Sequence, residues 1–325
     1  MGLPPVHLIT DRRLVPDLAA AARRVLSGLP PAEAAKQAKA ILVFETALAK
    51  ASRPIEAMRD VQKLHHRLDA PGLAKLTPKL PWERFFSAFG QSDLTAINVM
   101  TPEFFPALQK EIGKAPLPTL KAYLRYQLLS ATAGLLPDAI YQQHFDFQGR
   151  TLAGQKEPQP RWKRCITATE QAMGEAIGQL YVQERFAGNS KELALDMIHG
   201  IADAFAASLP ALTWMDETTR QAALVKKGTL AWKIGYPEEW RDYSKLTITR
   251  GNHFANAVAA RGFEASRQLA QVGKPVDRKE WGMNAQTVNA SYNPLQNAFT
   301  YPAGILQPPF FHKDFPVAMN LGGMG

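Results

Sequence analysis

Seven histidines (His7, His65, His66, His144, His199, His253 and His312) and one cysteine, Cys165, are the residues of this chain best suited to metal binding or nucleophilic chemistry. None of the histidines lies three or four residues from another. Two imidazoles must have that spacing to meet on one helical face and share a zinc ion, and H-E-x-x-H does not occur. Spacing therefore assigns no catalytic residue and no metal ligand. His199 lies beside an apolar helical stripe and reads as a hydrogen-bonded packing residue, while His65-His66 point to different faces and read as surface. Cys165, between Arg164 and Ile166 in a helical pattern, reads as a buried inert thiol. G-x-S-x-G is absent, and Gly322-Gly323-Met324-Gly325 fits neither the phosphate loop nor the dinucleotide fingerprint.

The elements that would position any chemistry are mostly helices. Pro31-Ala32-Glu33 opens a segment in which Ile41, Phe44 and Leu48 form one stripe, predicting a helix to about Ala51. Thr101-Pro102-Glu103 predicts a helix capped by Thr101, and Leu120, Leu124 and Leu128 predict the buried face of the next one. Trp162 to Phe186 carries the strongest helical pattern, with Ile166, Met173, Ile177 and Leu180 on one face. Further stripes are Ile198, Ile201, Phe205 and Leu209, then Phe254, Val258, Ala265, Leu269 and Val272. From about Thr229 short apolar runs bounded by Gly and Pro take over. Trp232–Tyr236, Gln286–Tyr292 and Ala298–Tyr301 read as strands, with a hairpin turn between Tyr292 and Asn297. The fold class is α+β and predominantly α-helical, divided into a mainly helical portion, 1–228, and a portion with a small β-sheet, 229–325.

Charge and composition narrow the partners. The chain has 325 residues, with 38 Lys and Arg against 29 Asp and Glu, a formal charge of +9. The densest basic cluster is only Arg161-Trp162-Lys163-Arg164, without a recognisable module, so no nucleic-acid partner is expected. The apolar stretch Leu117 to Leu136 is broken by Lys121, Arg125 and Gln127, short of the roughly 18 uninterrupted apolar residues a membrane span needs. Met1-Gly2-Leu3-Pro4-Pro5 has no basic or apolar leader pattern. One cysteine excludes a disulfide-stapled scaffold.

The C-terminal segment adds a resemblance. Val288-Asn289-Ala290-Ser291-Tyr292-Asn293-Pro294, Asn297, Tyr301-Pro302-Ala303-Gly304-Ile305-Leu306-Gln307-Pro308-Pro309-Phe310-Phe311 and Asn320-Leu321-Gly322-Gly323-Met324-Gly325 resemble the neprilysin-like zinc metallopeptidases, bacterial endopeptidase O type. Upstream, Trp162-Lys163-Arg164-Cys165, Gly178-Gln179-Leu180-Tyr181-Val182, Ile234-Gly235-Tyr236-Pro237, Trp240-Arg241-Asp242-Tyr243 and Lys274 to Met283 extend it. With Leu48-Ala49-Lys50-Ala51-Ser52, it covers about residues 35–325. One departure is local: Asn297 is followed by Ala298-Phe299-Thr300, where the family has an acidic or amide residue and then branched apolar ones.

The resemblance implies a zinc endopeptidase that hydrolyses oligopeptides on the amino side of hydrophobic residues, its helical portion covering a chamber over the catalytic domain. In that family two His and the general-base Glu of H-E-x-x-H, with a later Glu, make the zinc site. None of these maps onto this sequence. The chain is expected to bind no zinc alone, to hydrolyse nothing alone, and to be completed by a C-terminal catalytic segment, on a separate chain in one version. A non-catalytic helical peptide- or partner-binding protein derived from the family is the alternative. What the resemblance carries over is substrate recognition: Asn289 and Ala290 as the edge-strand pair that bonds a peptide main chain, and Ile305 and Phe310 as lining of the pocket for the side chain after the scissile bond. It also implies an exported bacterial enzyme, periplasmic or extracellular. With the usual packing partner missing, Ile305, Leu306, Phe310 and Phe311 are expected to form exposed apolar surface.

Overall fold

The computed structural model describes residues 30–325; His7 and the leader reading of the N-terminus fall outside them. The chain divides into two compact units, with the boundary in sequence between Pro160 and Arg161. The change of texture at 228/229 falls inside the second unit.

In the first unit, α1 (Pro31–Ala51) has Pro at its first position, where the missing N–H costs nothing, and buries Ile41, Phe44 and Leu48 as predicted. The short strands β1 (Arg67–Leu68) and β2 (Ile97–Asn98) pair antiparallel around α2 (Ala70–Leu76) and α3 (Trp82–Ala88). Then come α4 (Phe104–Lys114), α5 (Leu117–Thr132) and α6 (Asp138–Phe145), the last running into a π-helical stretch over Asp146–Leu152. Thr101 does not cap α4 with its side chain; its carbonyl instead accepts the Phe104 amide, so the helix opens two residues later than read. The buried face of α5 is also not its leucine stripe. Ala122 and Tyr126 pack against Ala34, Ala38 and Ile41 of α1, leaving Leu124 66% and Leu128 64% exposed. Small residues on both helices permit close backbone approach, which a leucine face would prevent.

Glu45 continues that alanine-lined face of α1 and is 1% exposed. Its Oε1 accepts from Gln127 Nε2 at 3.0 Å, whereas Oε2 has no hydrogen-bond partner among the described residues. Burial pushes its pKa up to about 7, the Gln127 hydrogen bond opposing in part.

The second unit comprises α7 (Arg161–Arg185), α8 (Ser190–Ser208), α9 (Glu217–Gly228), β3 (Ala231–Gly235), α10 (His253–Leu269), β4 (Ser291–Asn293), β5 (Ala298–Pro302) and α11 (Val317–Met324). The sheet order is β3-β5-β4, with β3 parallel and β4 antiparallel to β5. The core joins helices to sheet: Val182, Phe186, Ala194, Met197 and Ile198 pack with Ile234, Ala303, Leu306 and Phe311. That shared core is why 161–228 belongs with the strands.

The strongest helical pattern in the sequence is broken at Met173 (φ −149°, ψ 49°). Tyr243 Oη takes the Glu175 amide at 3.3 Å, and Gln286 Nε2 donates to the Gly174 carbonyl at 3.1 Å. Gly174 and Gly178 leave room for the Asn284, Gln286 and Trp240 side chains. The buried face is therefore Gly174, Glu175, Gly178 and Val182, while Ile166 and Leu180 are exposed. Cys165 is exposed on this helix, not buried as read. His199 is also exposed, edge-on to Trp232 with ring centroids 5.9 Å apart.

A chain of ion pairs ties α7, the loop after β3, α10 and the loop after α10. Arg241 bridges Glu175 (2.8 Å) and Glu264 (3.2 Å), and Arg267 bridges Glu264 (2.8 Å) and Glu280 (2.6 Å). Hydrogen bonding from Arg267 holds the Glu264 carboxyl below its usual range, against a smaller opposing effect of burial.

Candidate functional site

The edge position of β4 follows from the hairpin. Asn293 Oδ1 accepts the Leu295 amide at 3.0 Å, starting the turn, and Asn297 closes it with φ +45°, a left-handed conformation that Asn tolerates better than most residues. The return strand then pairs on one side with β4 and on the other with β3, which leaves one edge of β4 unpaired among the described residues. An unpaired strand edge presents main-chain N–H and C=O groups that can bond an extended peptide.

Of the run read as a strand, Gln286–Tyr292, only its last two residues belong to β4. Asn289 and Ala290 lie in the segment leading into β4, both exposed, and Asn289 Oδ1 accepts the Ala290 amide at 2.8 Å. The upstream part is drawn inward, because Ala285 is buried and Gln286 reaches the kink of α7.

Ile305 sits in the tight turn after β5, half-buried against the core, with its amide on the Pro302 carbonyl at 3.2 Å. Gly304 couples that turn to the lead-in of β4. Its amide donates to the Ala285 carbonyl at 2.8 Å, and a Cβ at this position would fall closer than 3.0 Å to the backbone of Gln286 and Thr287. Phe310 is 47% exposed. The carbonyl of Phe310 lies where a side chain on Gly323 of α11 would go. Buried Asn320 fastens the same loop, donating to His312 O at 2.8 Å and accepting His312 N at 3.0 Å. The expected exposed apolar patch over 305–311 is thus corrected: Leu306 (3% exposed) and Phe311 (1%) enter the core, and only Phe310 stands open.

Asn320→Ala would strand two main-chain groups and leave a cavity. The expected loss is about 2–3 kcal/mol. Urea unfolding at fixed pH checks it, and a variant within 0.5 kcal/mol of the parent would show that water replaces the amide there.

An apolar cavity of about 500 Å³ lies between α8, α9, the sheet and α11, lined by Ile198, Phe205, Trp232, Tyr292, Phe299 and Tyr301 among others. None of Asn289, Ala290, Ile305 or Phe310 lines it. What sequence reasoning missed is the clamp around the predicted residues: Gly304, and the contacts of Tyr292 and Asn297. All three stand in the motif quoted above, but only the left-handed turn reveals what Asn297 does. Among the described residues, no group of three or more His, Cys, Asp or Glu could hold a metal ion. These residues do not form a zinc site, and no catalytic step through zinc is derived from them.

Two family models, both described as Peptidase family M13, match the chain: an N-terminal one over residues 2–237 and a peptidase one over residues 289–325. The chain belongs to that family, as a neprilysin-like member. It is 33% identical over 307 residues to an endothelin-converting enzyme homolog of Locusta migratoria, covering 89% of this chain and 42% of the relative. It is 32% identical over 322 residues to neprilysin-3 of Drosophila melanogaster, covering 93% and 40%. The crystal structure of the Mycobacterium tuberculosis zinc metalloprotease Zmp1 in complex with an inhibitor superposes with TM-score 0.89 at 34% identity, covering 98% of this chain and 49% of that one. PepO of Lactobacillus rhamnosis superposes at 0.88 with 27% identity, covering 99% and 52%. The chain therefore spans about half or less of the length of these relatives. No helix among the described residues is long and apolar enough to cross a membrane.

Proposed function

We propose that this chain supplies the peptide-recognition part of a zinc-dependent endopeptidase that hydrolyses oligopeptides on the amino side of hydrophobic residues. The observation that carries the reading is the hairpin that leaves β4 at the sheet edge directly after Asn289-Ala290, clamped through Gly304 to the turn holding Ile305. In this reading residues 229–325 open the catalytic domain, and the zinc ligands come from a further segment, in cis or on a separate chain. An exported location, periplasmic or extracellular, is proposed for the intact enzyme.

Roles divide by chemistry. Asn289 and the lead-in backbone bond groups that every peptide shares, so they contribute affinity without choosing sequence. Ile305 and Phe310 offer apolar surface to one side chain, worth roughly 1.5–3 kcal/mol when that side chain is fully buried, and so set a preference.

The test titrates two blocked peptides, differing only at one hydrophobic side chain, into the 325-residue chain. Asn289→Ala should weaken both by the same factor, about 2- to 12-fold for a net loss of 0.5–1.5 kcal/mol. Ile305→Ala should change the ratio between them. If neither peptide binds the parent, or Asn289→Ala shifts the ratio, the assignment is wrong. Incubated with zinc and a quenched hydrophobic peptide, the chain alone is expected to show no chelator-sensitive hydrolysis; turnover at one zinc per chain would place the ligands within it.

A further inference from the structure

We propose that Asn297 is a positioning residue that sets the register of β4, and with it the Asn289-Ala290 lead-in, by locking the Tyr292 hydroxyl to the C-terminal end of α9. The inference rests on the reading of β4 as the recognition edge and says what holds that edge in place.

Three independent demands meet at Asn297. Its φ of +45° closes the hairpin. Its Nδ2 donates to the Lys226 carbonyl and to Thr229 Oγ1, each at 2.9 Å, adding a third bond to a carbonyl that the Thr229 amide (3.2 Å) and hydroxyl (3.0 Å) already cap, and so joining the turn to the end of α9. Its Oδ1 accepts the Tyr292 hydroxyl at 3.0 Å. The main chain contributes as well, because the Asn297 carbonyl takes the Ala231 amide at 2.9 Å, where β3 begins. Glycine would satisfy the backbone angle and neither side-chain bond. Aspartate would keep the angle and the acceptor but lose the donor to Lys226 O. Asparagine alone meets all three.

Tyr292 is the middle residue of β4, opposite Phe299. Its ring packs on Phe299 with centroids 4.9 Å apart, and Lys226 Nζ lies 5.2 Å from the ring centroid. With its hydroxyl also fixed, the ring is held on one face of the sheet. A one-residue slip would send it to the other face, so locking Tyr292 locks the register. β4 has only three residues and one partner strand, too little to fix register by main-chain bonding alone. The turn has further support from Arg278, whose Nε donates to Gln296 O at 3.0 Å, and from Lys233 Nζ, 2.9 Å from Gln296 Oε1. Neither of these reaches β4.

The experiment compares hydrogen exchange of the β4 amides with that of the β3 amides bonded to β5, in the 325-residue chain. Asn297→Gly should speed β4 exchange roughly ten- to a hundredfold while β3 stays within about twofold. Tyr292→Phe, which removes only the half-buried hydroxyl oxygen, should reproduce most of that increase, and Asn297→Asp should fall between. Unchanged β4 exchange in Asn297→Gly, or an equal rise in β3, overturns the proposal by making Asn297 inert or merely a stability residue. A second arm titrates a blocked hydrophobic tripeptide. Affinity at least fivefold lower in Asn297→Gly supports transmission to Asn289-Ala290; equal affinity with accelerated β4 exchange overturns it. Failure of the parent chain to bind the peptide sinks the recognition reading, while the exchange arm still decides the role of Asn297.

Discussion

Replacing Glu45 with Gln should stabilise the first unit by up to about 3 kcal/mol at pH 8 and change little at pH 4.5. Glu45 ionises near 4.5 in an unfolded chain and near 7 when buried on α1. A carboxyl whose folded pKa is raised holds its proton more tightly in the native state, so its favourable contribution is complete below about pH 4.5. It is lost as pH rises through 7, at 1.36 kcal/mol for each pKa unit of difference. Around Glu45, Tyr123 and Tyr126 of α5 are held protonated, mainly by burial and then by the Glu45 charge itself, and the neutral Gln127 amide donates to Oε1. Gln at 45 keeps the oxygen that Gln127 uses and removes the ionisation. Denaturant unfolding of both proteins at several pH values between 4.5 and 8, followed through the first unit's transition, gives the difference directly. A gap between Gln and Glu that does not grow with pH would mean that water reaches Oε2 and the carboxylate is solvated.

Gly304→Ala is expected to cost roughly 2–3 kcal/mol and to abolish peptide binding at the β4 edge. The added Cβ meets main-chain atoms of Gln286 and Thr287, which cannot rotate away as a side-chain tip could. Relief requires moving either the Ile305 turn or the lead-in to Asn289, so stability and recognition should fall together. Gly262→Ala in α10 is the control. It meets nothing within 4 Å, and replacing a helical glycine should stabilise by about 0.5–1 kcal/mol. Thermal melts and peptide titration of the two variants decide the matter. If Gly304→Ala binds peptide as the parent does, the turn and the lead-in move independently and the clamp is not part of the site.

These expectations draw on different sources. Helix α1 was legible because Ile41, Phe44 and Leu48 recur at helical spacing after a proline start, and both features act locally. The hairpin was legible for the same reason: Asn293-Pro294 and Asn297 are turn residues whichever core they join. Local pattern also identified α5 and α7 as helices but not their buried faces, since burial depends on what lies opposite. Ala34 and Ala38 call for Ala122, so Leu124 and Leu128 turn outward. The Trp162–Phe186 pattern gave no sign of a break at Met173, because the groups that replace its helical hydrogen bonds, Tyr243 and Gln286, come from 68 and 112 residues further on. Asn289, Ala290, Ile305 and Phe310 were reachable only through a motif, since an Asn-Ala pair or a lone Phe carries no chemistry of its own. By itself the sequence determined element types, turn positions and family, all encoded in short-range spacing and in a contiguous motif. Which glycine must stay bare, which carboxylate is buried with one oxygen unbonded, and which asparagine ties a strand to a helix end were decided by tertiary structure, because each depends on atoms that approach only after distant segments pack.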